Sequence, residues 1–260
     1  MKKALSFILI LLIVLTCCGA FTQLASNMQP ENNANTQNNS NNSNTSNEDN
    51  SNKESKDFSN MNIAFFGDSI ARGYDGFTRT AMDNPYPVLV AEELGFDNYY
   101  SYAVSGSTFA LNNLQRTSLV NKYKELKADV DVISVMCGVN DYDNSLPLGT
   151  IDDTDGYTVY GAIKIVASGL KNNYEDAFIF FITPYNTTWK HNTTYELIDV
   201  VNAIKEVCEL YDIPVLDLYN EGNFEDEMYN SKSDGLHPSQ NFHIQYTAPQ
   251  IAQFIKDNYK

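Results

Sequence analysis

Two short polar motifs carry the residue types of serine acyl chemistry. Ser69 follows Gly67 and Asp68 directly after an apolar run. Serine is a weak nucleophile on its own and needs a base within hydrogen-bond reach. Among the three histidines, His237 is the best candidate base, because Asp234 lies three residues before it. That spacing lets the carboxylate reach Nδ1 of the imidazole within one tight turn, and it leaves Nε2 free to face Ser69.

Acyl transfer also needs hydrogen-bond donors that stabilise the oxyanion of the tetrahedral intermediate. The candidates are the backbone N–H of Ser69, the backbone N–H of Gly106 and the side-chain amide of Asn140. Gly106 has no Cβ, so its backbone can approach a reacting group closely. We interpret Asp68 and Asp141 as residues that hold the turns on which Ser69 and Asn140 lie.

Other interpretations of these residues stay open at this stage. Asp217, at the end of a predicted strand, is an alternative carboxylate partner for His237. Asp234, His237 and His243 are also residue types that bind metal ions, but their spacing matches no standard zinc motif. We therefore predict neither a metal nor a cofactor. Ser69 taken alone is also a favourable helix N-cap.

The elements that must position these residues alternate along the chain. Apolar strand-like runs cover residues 63–66, 99–104, 130–136, 177–182 and 214–218, and helical patterns cover residues 87–94, 114–127, 157–172, 194–211 and 242–258. Near-continuous apolar strands separated by helices predict a parallel sheet covered on both faces. With right-handed crossovers this is an α/β fold, a three-layer α/β/α sandwich with a doubly wound, flavodoxin-like parallel sheet of about five strands.

Each polar motif follows a predicted strand at its carboxyl end, the edge at which open α/β sheets bind ligands. A parallel sheet brings all these ends to one edge, which predicts a single site. The polar connection at 142–156 follows the third strand. Trp189 and His191 follow the fourth, either lining a pocket or lying in a plain surface loop.

Taken in this order, the motifs resemble those of the SGNH, or GDSL-type, hydrolases, a family of serine esterases and lipases. The resemblance extends from residue 62 to the C-terminus. It implies that Ser69 is the nucleophile and first oxyanion donor, that Gly106 and Asn140 are the second and third donors, that His237 is the base and that Asp234 orients it.

The N-terminus has the pattern of an export signal. Two lysines precede an apolar run at 4–15, which is too short for a good membrane-spanning helix. The run closes on a tandem cysteine and resembles the lipobox of bacterial lipoproteins. The resemblance implies a signal peptide at 1–17 and lipidation of Cys18, or of Cys17 if the lipobox is shifted by one residue. An ordinary cleaved secretory signal is the alternative.

Residues 18–60 are rich in Asn and Ser, and no aromatic residue occurs between Phe21 and Phe58. Such a segment buries too little apolar surface to offset the entropy of the chain, so we expect a disordered tether. The hydrolase domain would then cover residues 61–260. Its Cys137 and Cys208 are predicted to be buried free thiols rather than a disulfide scaffold.

The formal net charge of −16 argues against nucleic acid and anionic lipid headgroups as partners. The lipobox resemblance implies a cell-surface, extracytoplasmic lipoprotein of a bacterium, attached to the membrane through its lipid anchor, or a secreted protein if the signal is an ordinary one. We predict no obligate protein partner. The expected activity is hydrolysis of a small-molecule or glycan carboxylic ester, of short acyl groups or of O-acetylated carbohydrate, through an acyl-enzyme. The alternatives are an O-acyltransferase with the same triad and a non-catalytic surface binding protein on this scaffold.

Overall fold

The computed structural model describes residues 56–126, 129–189, 194–222, 224–228, 230 and 232–260. The predicted signal peptide, both candidate lipidation cysteines Cys17 and Cys18, nearly all of the tether and His191 lie outside these residues. Phe58, which falls inside the predicted tether, is buried between the rings of Phe96 and Tyr259. The packed part of the chain therefore includes Phe58.

Five parallel strands form one sheet in the order β2-β1-β3-β4-β5. They are β1 (Asn62–Gly67), β2 (Asn98–Ser101), β3 (Val132–Met136), β4 (Phe178–Ile182) and β5 (Val215–Leu216). Every residue of β3 is buried, as expected for a strand with helices on both faces. The predicted flavodoxin-like α/β fold is confirmed.

The order of the strands reverses between β1 and β3. This topological switch point is where doubly wound sheets open a crevice at their carboxyl edge. Gly67 at the end of β1 is paired with Met136 at the end of β3. The polar motifs that follow these two strands therefore begin side by side.

Ten α-helical segments surround the sheet in the described residues. In chain order they are α1 (Ser69–Arg72), α2 (Tyr86–Leu94), α3 (Leu119–Lys122), α4 (Val139–Asp143), α5 (Val159–Asn173), α6 (Leu197–Leu210), α7 (Leu218–Glu221), α8 (Glu225–Met228), α9 (Gln240–Phe242) and α10 (Ala248–Asn258). Helices α2 and α10 pack together, and α5 packs with α3 and α6. With right-handed crossovers these two groups cover opposite faces of the sheet. No helix in the described part of the chain is long and apolar enough to cross a membrane.

The long helices bury an apolar stripe at three- and four-residue spacing, as the sequence predicts. In α6 the buried stripe includes Val200, Val201, Ile204 and Val207. Cys137 and Cys208 are both buried and free, as predicted.

The helix predicted at 114–127 is wrong in its first part, before residue 119, and residue 127 lies outside the described residues. Gln115 has a positive φ of 57°, a left-handed conformation that does not continue an α-helix. The segment before Ser118 is a loop, and Ser118 then caps α3 by accepting a hydrogen bond from the N–H of Val120. A short 3₁₀ turn, Tyr123–Glu125, follows α3.

The last predicted helix also has an irregular turn. A π-helical turn, His243–Thr247, separates α9 from α10. Helical structure thus runs from residue 240 to residue 258, but with one wider turn that the apolar pattern does not reveal.

Candidate active site

Ser69 lies at the junction of β1 and α1. Asp68 caps this helix, because its Oδ1 accepts a hydrogen bond of 2.9 Å from the N–H of Ile70. A Cβ on Gly67 would lie 2.5 Å from Ala71 Cβ and 2.6 Å from the carbonyl oxygen of Met136. Only glycine fits this sharp passage from strand to helix. The tight turn leaves Ser69 at the carboxyl edge of the sheet with 9% of its surface exposed.

His237 connects Ser69 to Asp234. Its Nε2 lies 2.7 Å from Ser69 Oγ, and its Nδ1 lies 2.8 Å from Asp234 Oδ2. The other carboxylate oxygen, Oδ1, accepts the backbone N–H groups of Leu236 at 3.0 Å and His237 at 2.8 Å. Burial alone would raise the pKa of Asp234, but the hydrogen bonds from the His237 side chain and from the two N–H groups outweigh burial and lower that pKa. The carboxylate is therefore kept ionised beside the imidazole.

The loop that follows β4 holds this turn from one side. Gly235 has a positive φ of 78°, and its carbonyl oxygen accepts backbone N–H groups from Thr188 and Trp189, both at 3.1 Å, as well as the hydroxyl of Thr187. Trp189 is 41% exposed, and its indole N–H donates to Asp143 Oδ1 at 2.7 Å. The Trp189 backbone therefore contacts the turn that carries His237, while its partly exposed indole ring is bonded to α4; both interpretations of Trp189 stay predictions.

The loop after α1 packs against the same turn from another side. A Cβ on Gly76 would lie 2.2 Å from the carbonyl oxygen of His237, so glycine is required there. The Tyr74 ring meets the imidazole of His237 edge to face, with ring centroids 4.7 Å apart. Arg79 NH1 lies 3.3 Å from Asp234 Oδ2. The sequence analysis did not predict these contacts. The one feature of the sequence that singles out Arg79 is that the chain has only three arginines.

Asn140 lies in α4, directly after β3. Its Nδ2 donates to the carbonyl oxygen of Ser107 at 3.0 Å, which orients the amide. The same nitrogen is 3.4 Å from Asp68 Oδ2, a long contact that leaves its second hydrogen weakly used. That hydrogen is available to a stronger acceptor such as an oxyanion.

Gly106 lies in the loop that follows β2 and has a positive φ of 79°. The strand ends at Ser101, earlier than predicted, but the backbone continues beside β1. The N–H of Val104 donates to the carbonyl oxygen of Gly67 at 3.0 Å. This bond brings the loop with Gly106 next to the turn that carries Ser69.

Two buried carboxyl groups brace the site. Burial raises the pKa of Asp68 to about 6, although the hydrogen bond from Ile70 acts in the opposite direction. Burial likewise raises the pKa of Asp141 to about 7, although Asp141 accepts the N–H groups of Phe109 and Ala110 at 2.8 and 2.9 Å. Asp141 thereby ties α4 to the loop after β2.

Asp217 and His243, the residues of the alternative interpretations, have other partners. Asp217 accepts hydrogen bonds from Lys205 at 2.6 Å, from Asn220 at 2.8 Å and from Thr183 at 3.2 Å. His243 is completely buried, and its Nδ1 accepts the backbone N–H of Tyr86 at 3.1 Å. The carboxylate hydrogen-bonded to His237 is thus Asp234. Within the described residues, no group of three His, Cys, Asp or Glu side chains is arranged to hold a metal.

The arrangement is a hydroxyl, an imidazole and a carboxylate linked in series. An imidazole in this position can accept the serine proton through Nε2 while the carboxylate stabilises the imidazolium that forms. The N–H groups of Ser69 and Gly106 and the oriented amide of Asn140 are hydrogen-bond donors of the kind that the oxyanion of an acyl-transfer reaction requires.

A family model of the GDSL-like lipase/acylhydrolase family matches residues 65–243 of this chain. Comparison with curated proteins gave no match. Three solved structures illustrate the likeness in fold. A protein from Lactobacillus plantarum is 24% identical, with a TM-score of 0.69, and the match covers 78% of this chain and 99% of its own.

A possible lipase from Chitinophaga pinensis is 20% identical, with a TM-score of 0.60, over 76% of this chain and 98% of its own. A carbohydrate acetylesterase family member from Sinorhizobium meliloti is 17% identical, with a TM-score of 0.55, over 76% of this chain and 98% of its own.

Proposed function

This chain belongs to the GDSL-like lipase/acylhydrolase family, and on that premise we propose that it hydrolyses carboxylic esters through an acyl-enzyme formed on Ser69. The observation that carries the proposal is the unbroken pair of short contacts from Ser69 Oγ to His237 Nε2 and from His237 Nδ1 to Asp234 Oδ2. A serine placed in this way has the base and the orienting carboxylate that its activation requires.

In the proposed reaction, His237 Nε2 takes the proton of Ser69 as Oγ attacks the ester carbonyl carbon. The tetrahedral intermediate then collapses, the bond to the alcohol oxygen breaks, and His237 returns the proton to the leaving alcohol. A water molecule, deprotonated by the same imidazole, releases the acid and regenerates Ser69. Asp234 stays ionised throughout and stabilises the imidazolium.

The oxyanion would be stabilised by the N–H groups of Ser69 and Gly106 and by the second hydrogen of Asn140 Nδ2. The Asn140 donor is supported by the length of its contact with Asp68 Oδ2, which at 3.4 Å is a weak hydrogen bond. A charged oxyanion at normal hydrogen-bond distance would be a better acceptor for this hydrogen. The bond to Ser107 holds the amide in place, so that little reorganisation is needed during the reaction.

As substrates we propose short acyl esters, with O-acetylated carbohydrate as the natural class. The structural likeness to a protein named as a carbohydrate acetylesterase family member agrees with this class.

The test compares the wild-type protein with Ser69→Ala and with a matched control, Ser168→Ala. Ser168 lies on α5, where its hydroxyl donates to the carbonyl oxygen of Lys164. We expect a fluorophosphonate probe to label the wild type and Ser168→Ala but not Ser69→Ala. Turnover of para-nitrophenyl acetate and of acetylated xylan should follow the same pattern.

Labelling of Ser69→Ala would place the nucleophile elsewhere. A wild-type protein that is neither labelled nor active would indicate a binding protein on this scaffold. Transfer of the acyl group to an added sugar in preference to water would indicate an O-acyltransferase.

We further propose that the protein is a bacterial surface lipoprotein attached through Cys18. Cys18→Ser should then move the protein from the membrane fraction to the soluble fraction, whereas Cys17→Ser should not. The reverse result would assign the lipid to Cys17, and a soluble wild-type protein would indicate an ordinary secretory signal.

A further inference from the structure

Arg116 lies beside Gly106, one of the proposed oxyanion donors. Its NH1 is 2.6 Å from the point where a Cβ on Gly106 would stand. From standard bond lengths, this nitrogen is no more than about 4 Å from Gly106 Cα and about 6 Å from Gly106 N. A guanidinium group therefore borders the crevice in which the ester carbonyl would bind.

Hydrogen bonds of the surrounding loop fix the backbone position of Arg116. The N–H groups of Leu114 and Arg116 both bond to Asn112 Oδ1, at 3.0 and 3.4 Å. The N–H of Thr108 donates to the carbonyl oxygen of Thr117 at 3.0 Å, which ties this loop back to the loop of Gly106. A loop fastened at both ends presents its side chain with little loss of conformational entropy on binding.

The guanidinium of Arg116 has no ion pair and no hydrogen bond with any residue that the structure describes. The residue is exposed, whereas the proposed donors Ser69 and Asn140 are buried. Arg116 is therefore solvent-accessible beside Gly106, within reach of a substituent of a bound ester, whereas Ser69 and Asn140 are not accessible in this way.

This unpaired cation stands out against the charge of the molecule. The chain has 33 acidic residues against 17 basic ones, and only three of the basic residues are arginines. Arg79, the other arginine at the site, is offset by its ion pair with Asp234. Arg116 is thus the guanidinium at this edge whose charge no described acidic partner offsets.

We propose that Arg116 selects esters that carry a carboxylate close to the reacting carbonyl, such as acyl esters of acidic sugars. The proposal rests on the proposed esterase function and specifies its substrate class. A guanidinium recognises a carboxylate through two parallel N–H···O bonds, which an ammonium or a neutral amide cannot reproduce. The negative surface elsewhere would repel the same substrate, so that binding is favoured at this one position.

The test uses two matched pairs of esters, because the carboxylate can belong to the alcohol or to the acyl group. The first pair is para-acetoxybenzoate against para-acetoxybenzamide. The second pair is para-nitrophenyl hemisuccinate against para-nitrophenyl butyrate. For each pair the measured quantity is the ratio of kcat/KM for the anionic ester to kcat/KM for the neutral ester.

We expect Arg116→Gln to lower this ratio roughly 5- to 30-fold for at least one pair, the range for one charge-assisted contact. The change should arise mainly in KM. High salt should lower the ratio in the wild type and have little effect in the variant, because it screens this attraction. Arg116→Lys should keep part of the preference, and Arg72→Gln, which removes an exposed arginine from α1, should leave the ratio as it is.

Two kinetic results would overturn the proposal. An equal fall of kcat on charged and neutral esters would mean that Arg116 stabilises the oxyanion, and an unchanged ratio for both pairs would mean that it is a surface arginine.

A binding measurement separates this proposal from the esterase proposal. Calorimetry on Ser69→Ala should show tighter binding of a galacturonic acid trisaccharide than of a neutral galactose trisaccharide, and adding Arg116→Gln should abolish the difference. If the wild type hydrolyses no ester but this difference appears, the esterase proposal has failed and the anion site stands. Equal binding of the two sugars overturns the anion site whatever the activity.

Discussion

His237 and His243 lie six residues apart in the chain, in opposite environments. His237 has a partner on each ring nitrogen, and its side chain is 13% exposed at the carboxyl edge of the sheet. His243 is fully buried in the π-helical turn, where Nδ1 accepts the N–H of Tyr86 and Nε2 has no partner among the described residues. Burial lowers the pKa of His243 to about 3, so its ring is neutral.

The comparison of the two histidines shows that hydrogen-bond partners and burial, rather than residue type, decide whether an imidazole can transfer a proton. A ring between a hydroxyl and a carboxylate can move a proton, because each protonation state has a partner ready for it. A fully buried neutral ring whose Nδ1 accepts one backbone N–H cannot take up a proton without a large desolvation cost, which outweighs the opposing effect of Asp75. The two environments therefore favour proton transfer at His237, as we propose, and a packing role for His243.

Replacing each histidine by alanine should separate the two roles most strongly. His237→Ala should lower kcat by roughly 10⁴- to 10⁶-fold, as loss of the base does in serine hydrolases, with little change in the free energy of unfolding. His243→Ala should instead lower the free energy of unfolding by roughly 2 to 4 kcal/mol and leave kcat per folded molecule nearly unchanged. Denaturant titration and active-site titration measure the two quantities, and a reversed pattern would contradict the comparison.

The carboxylates give a sharper version of the same contrast. Asp234→Asn removes the partner that holds the tautomer of His237 and should lower kcat by about 10⁴-fold. Asp217→Asn breaks the contact with Lys205 and should affect stability rather than turnover. The kcat of each variant is measured with para-nitrophenyl acetate, after circular dichroism has shown that the variant is folded. If Asp217→Asn is the inactive variant, the assignment of Asp234 is wrong.

A smaller effect is expected at the oxyanion. Asn140→Ala removes one donor and should lower kcat by about 10²- to 10³-fold with a modest change in KM. Asn144→Ala is the control, because its side chain donates to the backbone oxygen of Asn140 without facing Ser69 in any described contact. Equal kinetics of both variants and the wild type would make Asn140 structural.

The last expected effect is the pH dependence that His243 adds to stability, which does not involve turnover. The unfolded chain binds a proton at this ring below its ordinary pKa of 6.5, and the folded protein does so only near pH 3. Stability is therefore lost as pH falls from 6.5 towards 3, by about 1.4 kcal/mol per pH unit from this side chain. Asp68 and Asp141, whose pKa values burial raises, contribute with the opposite sign over part of this window.

For that reason the quantity to measure is a difference. The free energy of unfolding of the wild type, minus that of His243→Gln, should fall steadily between pH 6.5 and pH 4. A difference that does not depend on pH would mean that His243 is protonated inside the fold.

The sequence predicts the parallel sheet, the edge at which the polar motifs meet and the Asp234–His237 turn, because these follow from local patterns. Apolar runs mark buried strands, and a carboxylate three residues before a histidine can reach it within a single turn. The contacts of Arg79, Gly76 and Arg116 depend on loops that meet only in the folded chain. Nothing in the spacing of these residues predicts such contacts.

The helix predicted at 114–127 shows a second limit. Its polar and apolar residues fit a helical period, but the hydrogen bonds of Asn112 and the left-handed conformation of Gln115 favour a loop. Local bonds from an asparagine side chain compete with helix formation, and periodicity does not count them.

The wider turn at His243–Thr247 makes the length of this segment as important as its composition. A π turn contains one residue more than an α turn, so deletion of a single residue would let α9 continue smoothly into α10. Each residue of an α-helix advances the side chains by about 100° around the axis. Such a deletion would turn either His243 away from Tyr86 or Ile251 and Ile255 away from the core. The π turn therefore sets how the packing surface of His243 is rotated relative to that of α10. The segment would tolerate conservative substitutions far better than a change of one residue in length.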